Sequence, residues 1–278
     1  MISDFQTNTV YFSDLINTLP SFKESSKQII STLNSFEVKF KFLPETKDIW
    51  ARDYMPIQIN SSEYIEYRYD PDYLQGNSKG YRDLKSYPEI ICDSIGLKTI
   101  KSSLIMDGGN FIKSSNCIIF TDKLIKENCH SYSRIELIKE LQKTFKVDRI
   151  IFIPWDKNEE YGHADGMVRF VDDETVLLNY LYKNDSDIIN PLKKAGLKLE
   201  YLEFSKKTNN KFNWAYINFL QTEDLIIIPK FGIDEDYQAY EQINSYYPNY
   251  KGRISQVDVT EFVKKGGALN CISWTTKE

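Results

Sequence analysis

No run of about 18 apolar residues occurs anywhere in this 278-residue chain, which leaves nothing to cross a bilayer as a helix. Positive charge is in deficit as well: 35 Lys and Arg stand against 40 Asp and Glu, a formal charge of −5 with the signs interspersed. A phosphate-rich partner would be repelled, so neither nucleic acid nor a membrane is an expected partner. Cysteine is scarce. The four thiols, Cys92, Cys117, Cys129 and Cys271, could pair by parity, but a chain this long buries a core without staples, and free thiols are expected. Histidine is scarcer, with two residues. Cys129-His130 is an adjacent thiol and imidazole without two further ligands at zinc spacing, and reads as a loop or helix-end pair. The start, Met1-Ile2-Ser3-Asp4-Phe5, has neither the basic residues nor the apolar core of an export signal, so the expected location is cytoplasmic.

What is present is a repeating pattern. Strand-like alternation comes in pairs, 55–59 with 64–69, 110–113 with 117–121, 167–171 with 175–180, and 214–220 with 225–229. The pairs recur roughly every fifty residues, a spacing that signals internal repeats. Amphipathic helical stretches follow at 80–95, 131–144, 186–195 and 234–247, each succeeded by one more strand, at 97–105, 148–154, 197–204 and 254–259. A partial unit opens the chain, with strands at 9–13 and 37–42 around a helix over 22–35. With the segment ending at Cys271 this makes five sheet-and-helix modules in a single α/β domain over 1–278. Such modules are expected to close about a central cavity and leave no free strand edge.

Residues with chemistry sit where each module begins. Asp53, in Trp50-Ala51-Arg52-Asp53, precedes the first hairpin, and Asp107, in Asp107-Gly108-Gly109-Asn110, precedes the second. His163 and Asp165, in Gly162-His163-Ala164-Asp165, precede the third; Asn213-Trp214 holds that place in the fourth, and Cys271 follows Gly266-Gly267-Ala268-Leu269-Asn270. Modules arranged about an axis bring such junctions together, so carboxylates, one imidazole and one thiol would share a pocket suited to a small cation. An Asp beside Gly or Pro is ordinarily a turn or a helix cap, and a lone Cys a core residue. The ordered set of four motifs is what argues for a site.

These motifs, in this order, resemble the agmatine deiminase and bacterial-type peptidylarginine deiminase family of the guanidine-modifying, or pentein, superfamily. The resemblance covers 9–274 and implies an α/β propeller of five ββαβ-type modules with a central active-site cavity. It also implies that Asp165, with Asp53 or Asp107 or both, grips a guanidinium, and that Trp50 packs along the substrate. Residue chemistry agrees, because a planar cation rich in N–H donors is best held by carboxylates. Cys271, as thiolate, can attack the guanidinium carbon to give a covalent thiouronium. His163 can protonate the departing ammonia and then activate water. The expected activity is hydrolysis of a guanidine to a ureido group and ammonia, with no metal or organic cofactor called for. The expected partner is a small guanidine compound, agmatine or a relative, with free arginine or an arginine peptide as the alternative. Amidino transfer to an amine, or guanidine binding without turnover, are the rival readings.

Three departures weaken the case for agmatine itself. Asp107 stands where agmatine deiminases usually carry Glu, Asn270 precedes the cysteine where His is common, and the tail after Cys271 lacks the Gln-rich ending. A substrate carboxylate would need a cation; Arg68 is the candidate anchor, with a solvated strand residue as the plainer account. Arg169 is read as a partner for a pocket acid, and 70–79 as a loop that either covers the pocket or lies on the surface.

Overall fold

Short runs rich in Val, Ile and aromatic side chains, each ended by a polar turn, form the strands. The computed structural model describes residues 1–75, 81–204 and 212–278. In chain order the strands are β1 (Thr9–Ser13), β2 (Lys39–Leu43), β3 (Ile57–Gln58), β4 (Tyr64–Arg68), β5 (Ile100–Ile105), β6 (Ile112–Lys113), β7 (Cys117–Thr121) and β8 (Arg149–Ile153). They continue with β9 (Val168–Phe170), β10 (Thr175–Asn179), β11 (Lys198–Leu202), β12 (Leu220–Gln221), β13 (Ile226–Lys230), β14 (Ile254–Asp258) and β15 (Ser273–Thr276).

Among the described residues they make five three-stranded sheets, β15-β1-β2, β3-β4-β5, β6-β7-β8, β9-β10-β11 and β12-β13-β14. In every sheet the middle strand is antiparallel to its first neighbour and parallel to the other. The parallel step needs a crossover, which a helix supplies. Strand β15, from the end of the chain, pairs with β1 from its beginning, Thr276 opposite Thr9, and so completes the module that the N-terminus starts.

The crossover helices show why the sequence pattern was readable. Helix Arg134–Phe145 opens with a Ser133/Glu136 capping box, in which the Ser133 N–H donates to Glu136 Oε2 at 2.9 Å. It buries Leu137, Leu141 and Phe145, one residue every four, on a single face. The middle strand β7 is buried along its whole length, as expected of a strand covered on both faces.

The architecture is thus a five-module α/β propeller. Its axis is marked by a narrow space lined by Asp4, Arg52, Lys113, Arg169, Gln221 and Asn270, with at least one residue from each module. Three expectations are corrected. Closure does not remove strand edges, because the five sheets are separate and the last strand of each is an edge. Those edges carry exposed lysines such as Lys39 and Lys198, which discourage pairing with another chain. The stretch 214–220, expected as strand, begins within a 3-10 helix, Asn213–Ile217, and the strand there is only Leu220–Gln221. In the helical stretch at 80–95 the α-helix is Pro88–Ser94; Pro88 is suited to the first helical position because its missing N–H would have no partner there. Of the loop 70–79, residues 76–79 lie outside the described residues. Among the described residues no helix is long and apolar enough to cross a membrane.

Candidate active site

A turn precedes the inner strand of each module, and the five turns are tied into a ring. The Gly109 N–H donates to Asp53 Oδ1 at 2.9 Å, joining the second module to the third. The Asp165 N–H donates to Gly109 O at 3.1 Å, joining the third to the fourth. Asn218 Nδ2 donates to Asp165 O at 3.4 Å, and the Asn270 N–H donates to Asn218 O at 3.0 Å. The Arg52 N–H closes the circuit on Cys271 O at 3.1 Å. Gly109 is required in this ring, since a Cβ there would lie 2.3 Å from His163 Nδ1 and 2.7 Å from Asp53 Oδ1. Gly267 is required for a different reason: its Cβ would lie 2.2 Å from the Trp50 ring, which packs directly on the backbone leading to Cys271.

Inside the ring, Cys271 Sγ lies 3.5 Å from Asp165 Oδ2 and 3.3 Å from Asn218 Oδ1. His163 Nε2 lies 3.1 Å from Asp107 Oδ2, off the hydrogen-bond line, and Nδ1 is 3.9 Å from Asp53 Oδ1. All are buried. Burial works against the His163 imidazolium, but Asp107 and Asp53 outweigh it and push the ring up to about 10. Burial also disfavours ionised Asp107, yet His163 and Lys123 hold its carboxyl well below the usual carboxylate range. Asp53 is pushed up to about 8, chiefly by burial, with Asp107, Asp165 and Asp48 adding to it and His163 opposing. Burial, then Asp165 and Asp53, push the Cys271 thiol well above its ordinary value. At rest the site therefore holds an imidazolium and a neutral thiol, with an Asp53 carboxyl that would ionise more readily beside a cation.

A cavity of about 280 Å³ opens onto Asp53, His163 and Cys271, walled by Trp50, Tyr69, Tyr73 and Tyr161, with Asp48 and Glu160 also on its lining. A second space of about 370 Å³ shares Tyr161, His163, Gly266 and Cys271 with the first and continues along Asp165, Met167, Tyr182 and Trp214. Cys271 and His163 thus stand where two chambers meet.

A family model described as Porphyromonas-type peptidyl-arginine deiminase matches residues 2–276. The chain belongs to that family. Among solved structures, the agmatine deiminase of C. jejuni is similar at 18% identity and a TM-score of 0.79, covering 100% of this chain and 95% of that one. A cysteine-to-serine form of that C. jejuni enzyme with substrate bound is similar at 18% identity and a TM-score of 0.77, covering 100% and 96%. At such identity the likeness speaks for the fold. A curated relative from Mycoplasma capricolum, named "Putative agmatine deiminase", is 22% identical over 221 residues, 66% of this chain and 60% of that protein's length.

Within this peptidyl-arginine deiminase family member, the residues expected from sequence divide into two groups. Trp50, Asp53, His163 and Cys271 line the first chamber, and Asp165 lines the second beside the same thiol. Asp107 is 1% exposed and lines neither; its short side chain ends against His163 and Lys123. Its place is behind the imidazole. Arg68 lies apart, on the exposed end of β4, where it pairs with Asp70 at 2.7 Å. Arg169 pairs with Asp4 at 3.3 Å rather than with an acid of either chamber.

Three site residues were not read from sequence. Asn218 stands two residues before β12, as Asn110 stands two before β6, so the repeat itself pointed to it more closely than to Asn213. Lys123 is buried 3.5 Å from both Asp107 and Glu127, 3.6 Å from Asp72, and 4.6 Å over the Tyr73 ring. A lysine at the start of helix Lys123–Asn128 opposes the helix dipole, a sign that it serves a specific partner. Glu159 accepts from the N–H groups of Tyr161, at 2.8 Å, Gly162, and His163, at 3.0 Å, and so shapes the turn that presents the imidazole.

Proposed function

We propose that this chain is a deiminase that hydrolyses the guanidine of agmatine, or of a related small compound, through a covalent intermediate on Cys271. The observation that carries the reading is the meeting of Cys271, His163 and the carboxylates of Asp53 and Asp165 around one buried point.

A guanidinium held between Asp53 and Asp165 supplies the positive charge those carboxyl groups lack. Its arrival favours ionisation of the Cys271 thiol, and the thiolate adds to the guanidinium carbon. His163, held as imidazolium by Asp107, gives its proton to the departing nitrogen, and ammonia leaves as the C–N bond breaks. The thiouronium remains on Sγ. Neutral His163 then takes a proton from water, the hydroxide adds to the same carbon, and the C–S bond breaks as the new hydroxyl passes its proton to the departing sulfur, which restores the thiol and releases the ureido product. Asp107 stabilises the imidazolium in both halves, a role that suits its place behind the ring.

The first chamber bears Asp48 and Glu160 but no Lys or Arg among the described residues of its lining. Burial pushes the Asp48 carboxyl up to about 7. Acids and aromatic walls favour a substrate whose far end is an amine over one that ends in a carboxylate, which would want a cation. Agmatine fits that demand better than free arginine. The second chamber supports one further reading: an amine entering there in place of water would resolve the thiouronium by amidino transfer. A cytoplasmic setting belongs to the same reading, in keeping with four free cysteines.

The test is ureido-product formation from agmatine, free arginine and an arginine peptide, with Cys271→Ser as the blank. Turnover of agmatine that vanishes in the variant is expected. Turnover of the peptide alone would move the substrate to the peptidyl branch, and turnover of none would remove the reading. Consumption of guanidine only when an amine is supplied, without ureido product, would favour transfer.

A further inference from the structure

Beneath the reacting groups lies a charge cluster that the hydrolytic steps leave unused. Arg52, Lys113 and Arg169 are all buried, and all three converge on one carboxylate, that of Asp4. Asp4 Oδ1 lies 3.5 Å from Lys113 Nζ and 3.8 Å from Arg52 Nη1, while Oδ2 lies 3.3 Å from Arg169 Nη2. Three cations against one carboxylate leave positive charge in excess in a water-poor setting, where its field reaches further than at a surface.

Arg169 conducts that charge upward. It stacks 4.1 Å over the Phe219 ring, and its Nη1 donates to Phe219 O at 2.7 Å and to Asn270 Oδ1 at 3.3 Å. Asn270 Nδ2 in turn donates to Asp165 Oδ2 at 2.8 Å, the same oxygen that lies 3.5 Å from Cys271 Sγ. The amide can be inserted only one way round. A guanidinium has donors alone and must meet Oδ1, and a carboxylate has acceptors alone and must meet Nδ2. An aspartate at 270 could not donate to Asp165, and an aliphatic residue could meet neither partner.

We propose that Asp4, Arg169 and Asn270 form a positioning relay that holds Asp165 Oδ2 beside the Cys271 thiol and couples the buried cation cluster to it. The work done by Cys271 rests on the deiminase reading, but the relay is a statement about the thiol itself. Its lower end is steady: burial works against the Asp4 carboxylate, yet Lys113, Arg52 and Arg169 hold it at about 2, so its charge is constant wherever the protein is folded near neutrality. The other groups facing Sγ are Asp165, Asn218, Asp53 and His163, and no variant below changes them.

The experiment is alkylation of Cys271 by iodoacetamide in the whole protein, followed from about pH 6 to about pH 11 by the mass of the Cys271 peptide, with the midpoint read from the rate below it, which changes about tenfold per pH unit there. Peptide-level reading keeps the exposed Cys129 out of the signal. No substrate is involved, so the result stands apart from any failure to find a guanidine that turns over. Asp4→Asn removes the carboxylate that offsets three cations, and the pH midpoint is expected to fall by about one unit, a tenfold faster reaction below the midpoint. Asn270→Asp sets a second carboxylate against Asp165, and the midpoint is expected to rise by about one unit. Both substitutions nearly conserve shape. Opposite shifts support the relay. Midpoints within about 0.2 units of the parent in both folded variants, or shifts of the same sign, overturn it. Should Asn270→Asp fail to fold, the Asp4→Asn arm decides alone by the sign of its shift.

Discussion

Replacing Asp53 by Asn separates the stability of this protein from its chemistry. Asp53 is 5% exposed, and its carboxyl is pushed up to about 8, chiefly by burial. An unfolded Asp titrates near about 3.9, so the folded-state value is the higher one. Protonated Asp53 therefore favours the folded state fully in acid, and that contribution is lost as pH rises from about 3.9 through about 8. At pH 7 the folded chain must hold a proton that the unfolded chain has released about three units lower. At about 1.4 kcal/mol per unit, this costs roughly 4 kcal/mol. Asn keeps an acceptor for the Gly109 N–H, which donates to Asp53 Oδ1 at 2.9 Å, and carries no ionisable group. Asp53→Asn is expected to be more stable than the parent by about 1–4 kcal/mol at pH 7 and by little at about pH 4. Urea unfolding midpoints across that range measure the difference, and ureido formation by the same variant is expected to be lost. A variant no more stable at pH 7 than at pH 4, relative to the parent, would refute the argument that this carboxyl is held against its own solvation.

Three further outcomes follow from the same geometry. Because Asp53 must be ionised to hold a cation, Cys271 must become a thiolate and His163 must be protonated to release ammonia, kcat/KM is expected to rise through about 8, to go on rising with the thiol into alkali, and to be limited by loss of the His163 proton near about 10; an acid optimum would contradict this. Lys123→Met leaves Asp107 and Glu127 without their buried cation, and a loss of about 3 kcal/mol is expected in urea unfolding, where an unchanged midpoint would show the ion pairs to be idle. Gly109→Ala sets a methyl 2.3 Å from His163 Nδ1, so the imidazole must move, and kcat is expected to drop by about tenfold or more in the ureido assay; full activity would show that the ring is free to shift.

Much of the fold was legible because each module repeats the same hairpin, helix and strand. The pairing of β9 with β10 and of β6 with β7 could be read from alternation and turn residues alone. The stretch Asn213–Ile217 could not, since aromatic and β-branched residues packed against a core look alike as strand or 3-10 turn. In the site, charge and rarity made Asp53, His163, Asp165 and Cys271 conspicuous. Asn218 was passed over because an amide has no charge to advertise, although it accepts from the Cys271 N–H at 3.3 Å. Lys123 was passed over because most lysines are solvated. Asp107 was found, but its pairing with His163 and Lys123 was not: residue type declares a carboxylate, whereas reach and backbone direction decide what it meets. Asn270, recognised only as a departure from the family pattern, finds its explanation in Arg169 and Asp165 on either side of it.

The central claim is that Cys271 carries the substrate carbon. Acid-quenching the protein during steady turnover of a guanidine substrate and weighing the Cys271 peptide tests it directly. An adduct on Cys271 that matches the substrate less ammonia, that disappears as the substrate is exhausted and that never forms in Cys271→Ser, is the predicted result. Undiminished ureido formation by Cys271→Ser would contradict it.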